Sequence, residues 1–132
     1  MYGYSSVSIN TGDTSGGSGS STANNTSSHV VVGQICSIGV TYNGSPPAST
    51  DLVIATAGNN GPALTILTLT NANSDGWFHP RHKIDDESAA DVTYDGTNEV
   101  YDKVCVADNI KVTVSQANDD DSVDVVVVYA GA

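Results

Sequence analysis

The run His29-Val-Val-Val-Gly-Gln-Ile-Cys-Ser-Ile-Gly-Val-Thr-Tyr42 decides the fold class. Its apolar residues recur at every second position, so that Val30, Val32, Cys36, Ile38, Val40 and Tyr42 share one face, with Gln34 as the exception. A period of two belongs to a strand with one buried face, and branching at Cβ suits Val and Ile to a pleated, half-buried surface. The run stops at Asn43-Gly44-Ser45-Pro46-Pro47, where turn residues replace it.

The same grammar continues outward. Asp51–Thr56 (DLVIAT) and Ala63–Thr70 (ALTILTLT) flank Gly58-Asn59-Asn60-Gly61-Pro62, which predicts a hairpin. Asn71–Gly76 turns into Trp77-Phe78-His79-Pro80, whose proline confines it to an edge or a strand end. Asp85–Asn98 is acidic and broken by Asp95-Gly96, and reads as a long loop with a short strand at Val92–Tyr94. Tyr101–Val106 and Asn109–Ser115 read as strands, and a turn at Asn118–Asp121 leads into Ser122–Tyr129 (SVDVVVVY). Short strands separated by regular turns, without helical periodicity, predict an all-β fold: an antiparallel β-sandwich, jelly-roll-like, over residues 29–132.

Residues 1–28 read differently. From Asn10 to Ser28 every residue except Asp13 and Ala23 is Gly, Ser, Thr or Asn, with almost no apolar surface to offset ordering entropy. The expectation is an extended N-terminal arm, up to ~90 Å long at about 3.3 Å per residue. Tyr2, Tyr4, Val7 and Ile9 form an apolar island at its tip, which reads as an anchor for a partner or a neighbouring copy.

Composition narrows the function classes. The 132 residues carry 15 acids against 4 bases, a formal charge of -11. Four cations cannot build the basic surface that nucleic acid requires. The longest apolar run, Val125–Ala130, is far below the ~20 residues of a membrane span. Met1–Tyr4 has neither a positive n-region nor an apolar segment, so no secretory signal is expected. Cys36 and Cys105 read as two free, core-facing thiols; a bridge would need neighbouring strands with Cα atoms within ~7 Å.

Three clusters could carry chemistry. Asn71-Ala-Asn-Ser-Asp-Gly76 matches the first half of a calcium loop, but position 1 is Asn and position 12 is His82, which favours an Asx-stabilised turn. Asp119, Asp120, Asp121 and Asp124 can hold a cation only if their oxygens converge, and on a hairpin tip they read as a solvated turn. His79-Pro-Arg-His-Lys83 concentrates half of all cations, but strand residues three apart face opposite ways, so His79 and His82 are poorly placed to share a metal. The patch is expected to pair locally with Asp85, Asp86 or Glu87, or to meet an acidic partner; Trp77, His79, Arg81, His82 and Lys83 are the candidate interface residues. No nucleophile elbow, zinc-protease motif, P-loop or glycosidase-type glutamate pair is present, so no enzymatic activity, metal or cofactor is expected.

Three stretches resemble small structural proteins encoded among the head genes of tailed bacteriophages: Leu64–Arg81 (LTILTLTNANSDGWFHPR), Val106–Val114 (VADNIKVTV) and Asp120–Tyr129 (DDSVDVVVVY). In those proteins a strand ends in an Asn/Asp-Gly-Trp/Phe turn and the chain closes on a strand ending in Tyr. The resemblance spans residues 34–129 and implies a capsid decoration, or cement, protein. Such a protein is a dimer or trimer on the outer surface of a virion, bridging subunits of the major capsid protein. It assigns no individual contact residues. The alternatives are a β-sandwich binding module for carbohydrate or a cell surface, with Trp77 and Tyr101 as aromatic platforms, or a tail or neck component.

Overall fold

The structure, a computed structural model, describes residues 3–131. Its strands are β1 (Gly3–Asn10), β2 (Ser21–Thr26), β3 (Val31–Asn43), β4 (Asp51–Thr56), β5 (Thr65–Leu69) and β6 (Gly76–Phe78). They continue as β7 (Arg81–Lys83), β8 (Tyr101–Lys103), β9 (Cys105–Asp108), β10 (Ile110–Ala117) and β11 (Ser122–Gly131). One sheet has the order β1-β11-β3-β6, with β9 also paired to β3, and the second has the order β2-β10-β4-β5. Every pairing is antiparallel. First and last strands lie side by side in one sheet while the second and the next-to-last lie side by side in the other. That is a jelly-roll wrap, the topology expected from the sequence, but it begins at residue 3 and not at residue 29, because its first two strands lie in the stretch expected to be an arm. β7, β8 and β9 are inserted between its sixth and seventh strands.

The core fills the space between the sheets. Ile38, Val40, Val123, Val125 and Val127 face inward from the first sheet, and Leu52, Ile54, Ile66, Ile110, Val112 and Val114 from the second. Alternation of buried and exposed residues along β10 and β11 follows the strand period.

Strand β3 departs from the simple alternation read in its sequence. Val128 pairs with Ser37 and Tyr129 with Ile35, so Cys36 is an extra residue in the ladder, a β-bulge that shifts the side-chain phase by one. Before the bulge Val31 and Ile35 face the core; after it Ile38 and Val40 do. Val30 and Val32 are therefore exposed, and Gln34 shares their outer face rather than interrupting an inner one. Gly33, at φ +139°, lies beside this irregularity, where a Cβ would sit 2.2 Å from the Ala130 carbonyl oxygen. Only glycine admits so close an approach of the two backbones.

Residues 3–28 are not a free arm. β1 pairs with β11 along its whole length, from Gly3 opposite Gly131 to Asn10 opposite Asp124, and β2 pairs with β10. Val7 and Ile9 are buried in the core, each contributing roughly 1.5–3 kcal/mol of apolar burial. The glycine-rich connection between them is ordered by polar contacts. Asp119 Oδ1 accepts from the N–H groups of Gly16 and Gly17 and from Ser21 Oγ, Asn118 Oδ1 accepts from Ser18 Oγ and Gly19 N, and Thr14 N donates to the Asp121 carbonyl. A segment too polar to fold on its own is thus held by the aspartate-rich turn at the other end of the chain.

Candidate interaction surfaces

The sequence-derived anchor divides on inspection. Tyr2 lies outside the described residues. Val7 and Ile9 are packed into this chain's own core and are not available to a partner. Tyr4, on the outer face of β1, is 78% exposed.

The patch from Trp77 to Lys83 is exposed throughout its candidate residues, but it does not form one cluster. Trp77 and His79 border the first sheet at β6, whereas Arg81, His82 and Lys83 make up β7. Pro80 between them is buried. Arg81 donates to the neighbouring Pro80 carbonyl at 2.8 Å. Lys83 pairs with Glu99 at 2.9 Å and Asp91 at 3.6 Å, rather than with Asp85, Asp86 or Glu87. The pair raises the lysine's pKa and lowers that of Glu99. Sequence proximity favoured the wrong acids because the ribbon that follows folds back on itself.

That ribbon, residues 81–103, leaves the first sheet after Phe78 and rejoins it at Val104. β7 pairs with β8, with Arg81 opposite Lys103 and Lys83 opposite Tyr101. Beyond them a cyclic set of backbone hydrogen bonds joins Ile84, Val92 and Val100: Ile84 N donates to Val100 O, Val100 N to Val92 O, and Val92 N to Ile84 O. These three half-buried side chains are its main apolar content. Asp85–Asn98 is a loop, as expected, but the short strand expected at Val92–Tyr94 is absent: only the isolated bridges Asp85–Asp91 and Thr93–Glu99 cross the loop as it folds back on itself. At its far turn Asp95 accepts from the N–H groups of Asn98 and Thr97, which hold its carboxyl below the usual range. Tyr94, beside that turn, is 73% exposed, and Tyr101 is also exposed. Residues 81–103 carry seven acids against three cations, Arg81, Lys83 and Lys103.

Trp77 makes a second feature. An added Cβ on Gly39 would meet Trp77 Cη2 at 2.9 Å, Cζ3 at 3.0 Å and Cζ2 at 3.1 Å. Three adjacent ring atoms at nearly equal distance mean that the indole lies face-down on the outer surface of β3. Gly39 is buried beneath it, while Trp77 is 62% exposed and Phe78 packs toward the core. Beside the ring is a shallow cleft of about 280 Å³ lined by Thr41, Asp75, Asp124 and Val126. Asp75 Oδ1 accepts from Tyr42 N at 2.8 Å. Asp124 accepts from Asn10 and Asn43 side-chain amides, the first of which is the larger cause of its lowered pKa.

The other polar clusters are committed to structure. In the half calcium loop, Asn71 N donates to Asp51, Asn73 Nδ2 to the Pro46 carbonyl, and Asp75 serves Tyr42. Asp119 and Asp124 serve different neighbours, and Asp121 is buried, accepting from Ser45 N and Asn118 N. Among the described residues no group of three His, Cys, Asp or Glu side chains is placed to hold a metal ion. Cys36 and Cys105 are free; Cys105 is exposed on β9 rather than core-facing, because β9 pairs with the part of β3 that precedes the bulge. No helix among the described residues is long and apolar enough to cross a membrane.

No family model matches the chain, and the comparison with curated proteins found no match. Among solved structures, a chain described as the crystal structure of FLHE aligns over 97% of this chain and 96% of its own, at 13% identity and a TM-score of 0.43. A likeness at that level carries neither function nor site.

Proposed function

We propose that this chain is a structural virion protein, a capsid decoration protein that binds the outside of a phage head and bridges subunits of the major capsid protein. The observation that carries the reading is the exposed ribbon of residues 81–103. Almost all of its residues are exposed and Ile84, Val92 and Val100 are only half-buried, a segment with few buried apolar contacts of the kind that contributes least to local stability. A ribbon of that kind gains most from being covered. Tyr94 and Tyr101 supply rigid, amphipathic contact area suited to the centre of a protein interface.

The jelly roll itself is compatible with the proposal, since the architecture recurs in viral capsid proteins, but fold alone does not decide function. Attachment through one small ribbon per copy is weak singly and becomes firm when copies associate as a dimer or trimer on a repeating shell. The test is co-sedimentation of the purified protein with phage heads that lack it. Saturable binding that is lost when Tyr94→Ser and Tyr101→Ser are combined supports the proposal. Absence of binding to heads by the unaltered protein overturns it.

A further inference from the structure

We propose that the outer face of the first sheet carries a binding site for an uncharged pyranose sugar, with the Trp77 indole as its floor and Asp75 and Thr41 as its rim. The proposal goes beyond capsid decoration and does not depend on it.

The indole is presented as a fixed plate. One face is seated on Gly39 and the other opens to solvent, so a ligand meets a flat π surface already immobilised. An aromatic face is electron-rich and attracts weakly positive hydrogen atoms. The C–H face of a pyranose ring offers such atoms over a matching area, and its edge carries hydroxyl donors. Those donors have acceptors beside the plate: Asp75 uses Oδ1 for Tyr42 N, and its Oδ2 has no partner among the described residues. Thr41 is exposed in the same cleft, and Val126 extends the apolar floor. An apolar floor with a few oriented polar groups is the usual composition of a small-molecule site.

Charge selects the ligand class. Asp75 and Asp124 both line the cleft, and the chain carries a net charge of -11, so sialylated or sulfated glycans and nucleotides are repelled. An uncharged hexose or N-acetylhexosamine is not. The open, shallow shape suits a residue within a glycan chain rather than a free monosaccharide sealed from water.

Trp77 is the sole tryptophan in the chain, so its fluorescence reports on this site alone. The experiment titrates the full chain with cellohexaose, maltohexaose, mannohexaose and N-acetylchitohexaose, each to about 10 mM, with sialyllactose as the anionic control. A saturable change in emission with at least one neutral hexasaccharide, and none with sialyllactose, is the expected result. Gly39→Ala tests the seating: its Cβ lifts the ring off β3 while the tryptophan remains, and affinity should fall about tenfold or more. Trp77→Ala, which removes an exposed side chain and leaves the core intact, should abolish the amide chemical-shift changes produced by the same sugar. The proposal is overturned by no response to any neutral sugar, by an equal response to sialyllactose, or by unchanged sugar-induced shifts in Trp77→Ala.

Discussion

Replacing Ile9 by Ala tests whether the first strand belongs to the sandwich. Ile9 is 3% exposed and pairs opposite Val125, in the middle strand of three that lie side by side. The substitution removes three carbons, worth roughly 2.4 kcal/mol at about 0.8 kcal/mol each. A residual cavity adds to the loss and the freedom of an edge strand to settle inward subtracts from it, which places the expected cost at about 3 kcal/mol. For a domain of this size that corresponds to a fall in Tm of about 10 °C. Urea and thermal unfolding followed by circular dichroism measure it, with Tyr4→Ser on the same strand's outer face as the control, expected within about 0.5 kcal/mol. A loss below about 0.5 kcal/mol for Ile9→Ala would mean that residues 3–10 are detachable, and the jelly-roll assignment of β1 would fall.

Gly33→Ala should be among the most damaging single substitutions, costing more than about 3 kcal/mol, because the new Cβ meets backbone rather than a movable side chain; near-normal urea unfolding would contradict the tight β3–β11 approach. Tyr42→Phe should raise stability by about 0.5–1 kcal/mol, since the Tyr42 hydroxyl is buried without a partner among the described residues and burial, with Asp75 beside it, pushes the phenol's pKa up; a clear destabilisation in the same unfolding assay would show that the hydroxyl is bonded. Acid should loosen the glycine-rich connection, which is intact at neutral pH. Asp119 has its pKa lowered first by the Ser21 hydroxyl and then by Gly17 N–H, so its contribution is complete above the ordinary value of about 3.9 and is lost as pH falls through the lower folded value. Amide exchange at residues 16–21 should therefore quicken only below about pH 4, and Asp119→Asn should remove that step; exchange independent of pH after correction for intrinsic rates would refute it.

The fold was legible in sequence wherever burial dictates alternation. The β4–β5 hairpin and the valine-rich β11 follow from period-two runs and turn residues, as expected, whereas the jelly-roll wrap closes only through β1 and β2. The first two strands were hidden for a physical reason. β2 is Ser-Thr-Ala-Asn-Asn-Thr, and its order comes from pairing with β10 and from the Ser21 hydroxyl's bond to Asp119, 98 positions away, an interaction that local composition cannot display. The bulge at Cys36 was hidden likewise: alternation constrains strand phase only where no residue is inserted, and Gln34 was the visible trace of the slip.

At the surface, sequence drew attention to Trp77 and the following basic patch. It could not show that the indole lies on Gly39, because that contact joins two strands thirty-eight residues apart. Nor could it separate Trp77 from Lys83, which the buried Pro80 directs into different surfaces. Asp85–Asn98 has the composition of a loop, and its fold-back could not be read because the apolar residues in and beside it, Ile84, Val92 and Val100, are spaced by eight and meet only on folding.

Attachment to a capsid is tested most directly by electron cryomicroscopy of heads reconstituted with the purified protein. Additional density is expected at a fixed copy number on the outer surface, with the ribbon around Tyr94 and Tyr101 against the major capsid protein. An undecorated shell at saturating protein, or attached density with that ribbon free in solvent, would contradict it.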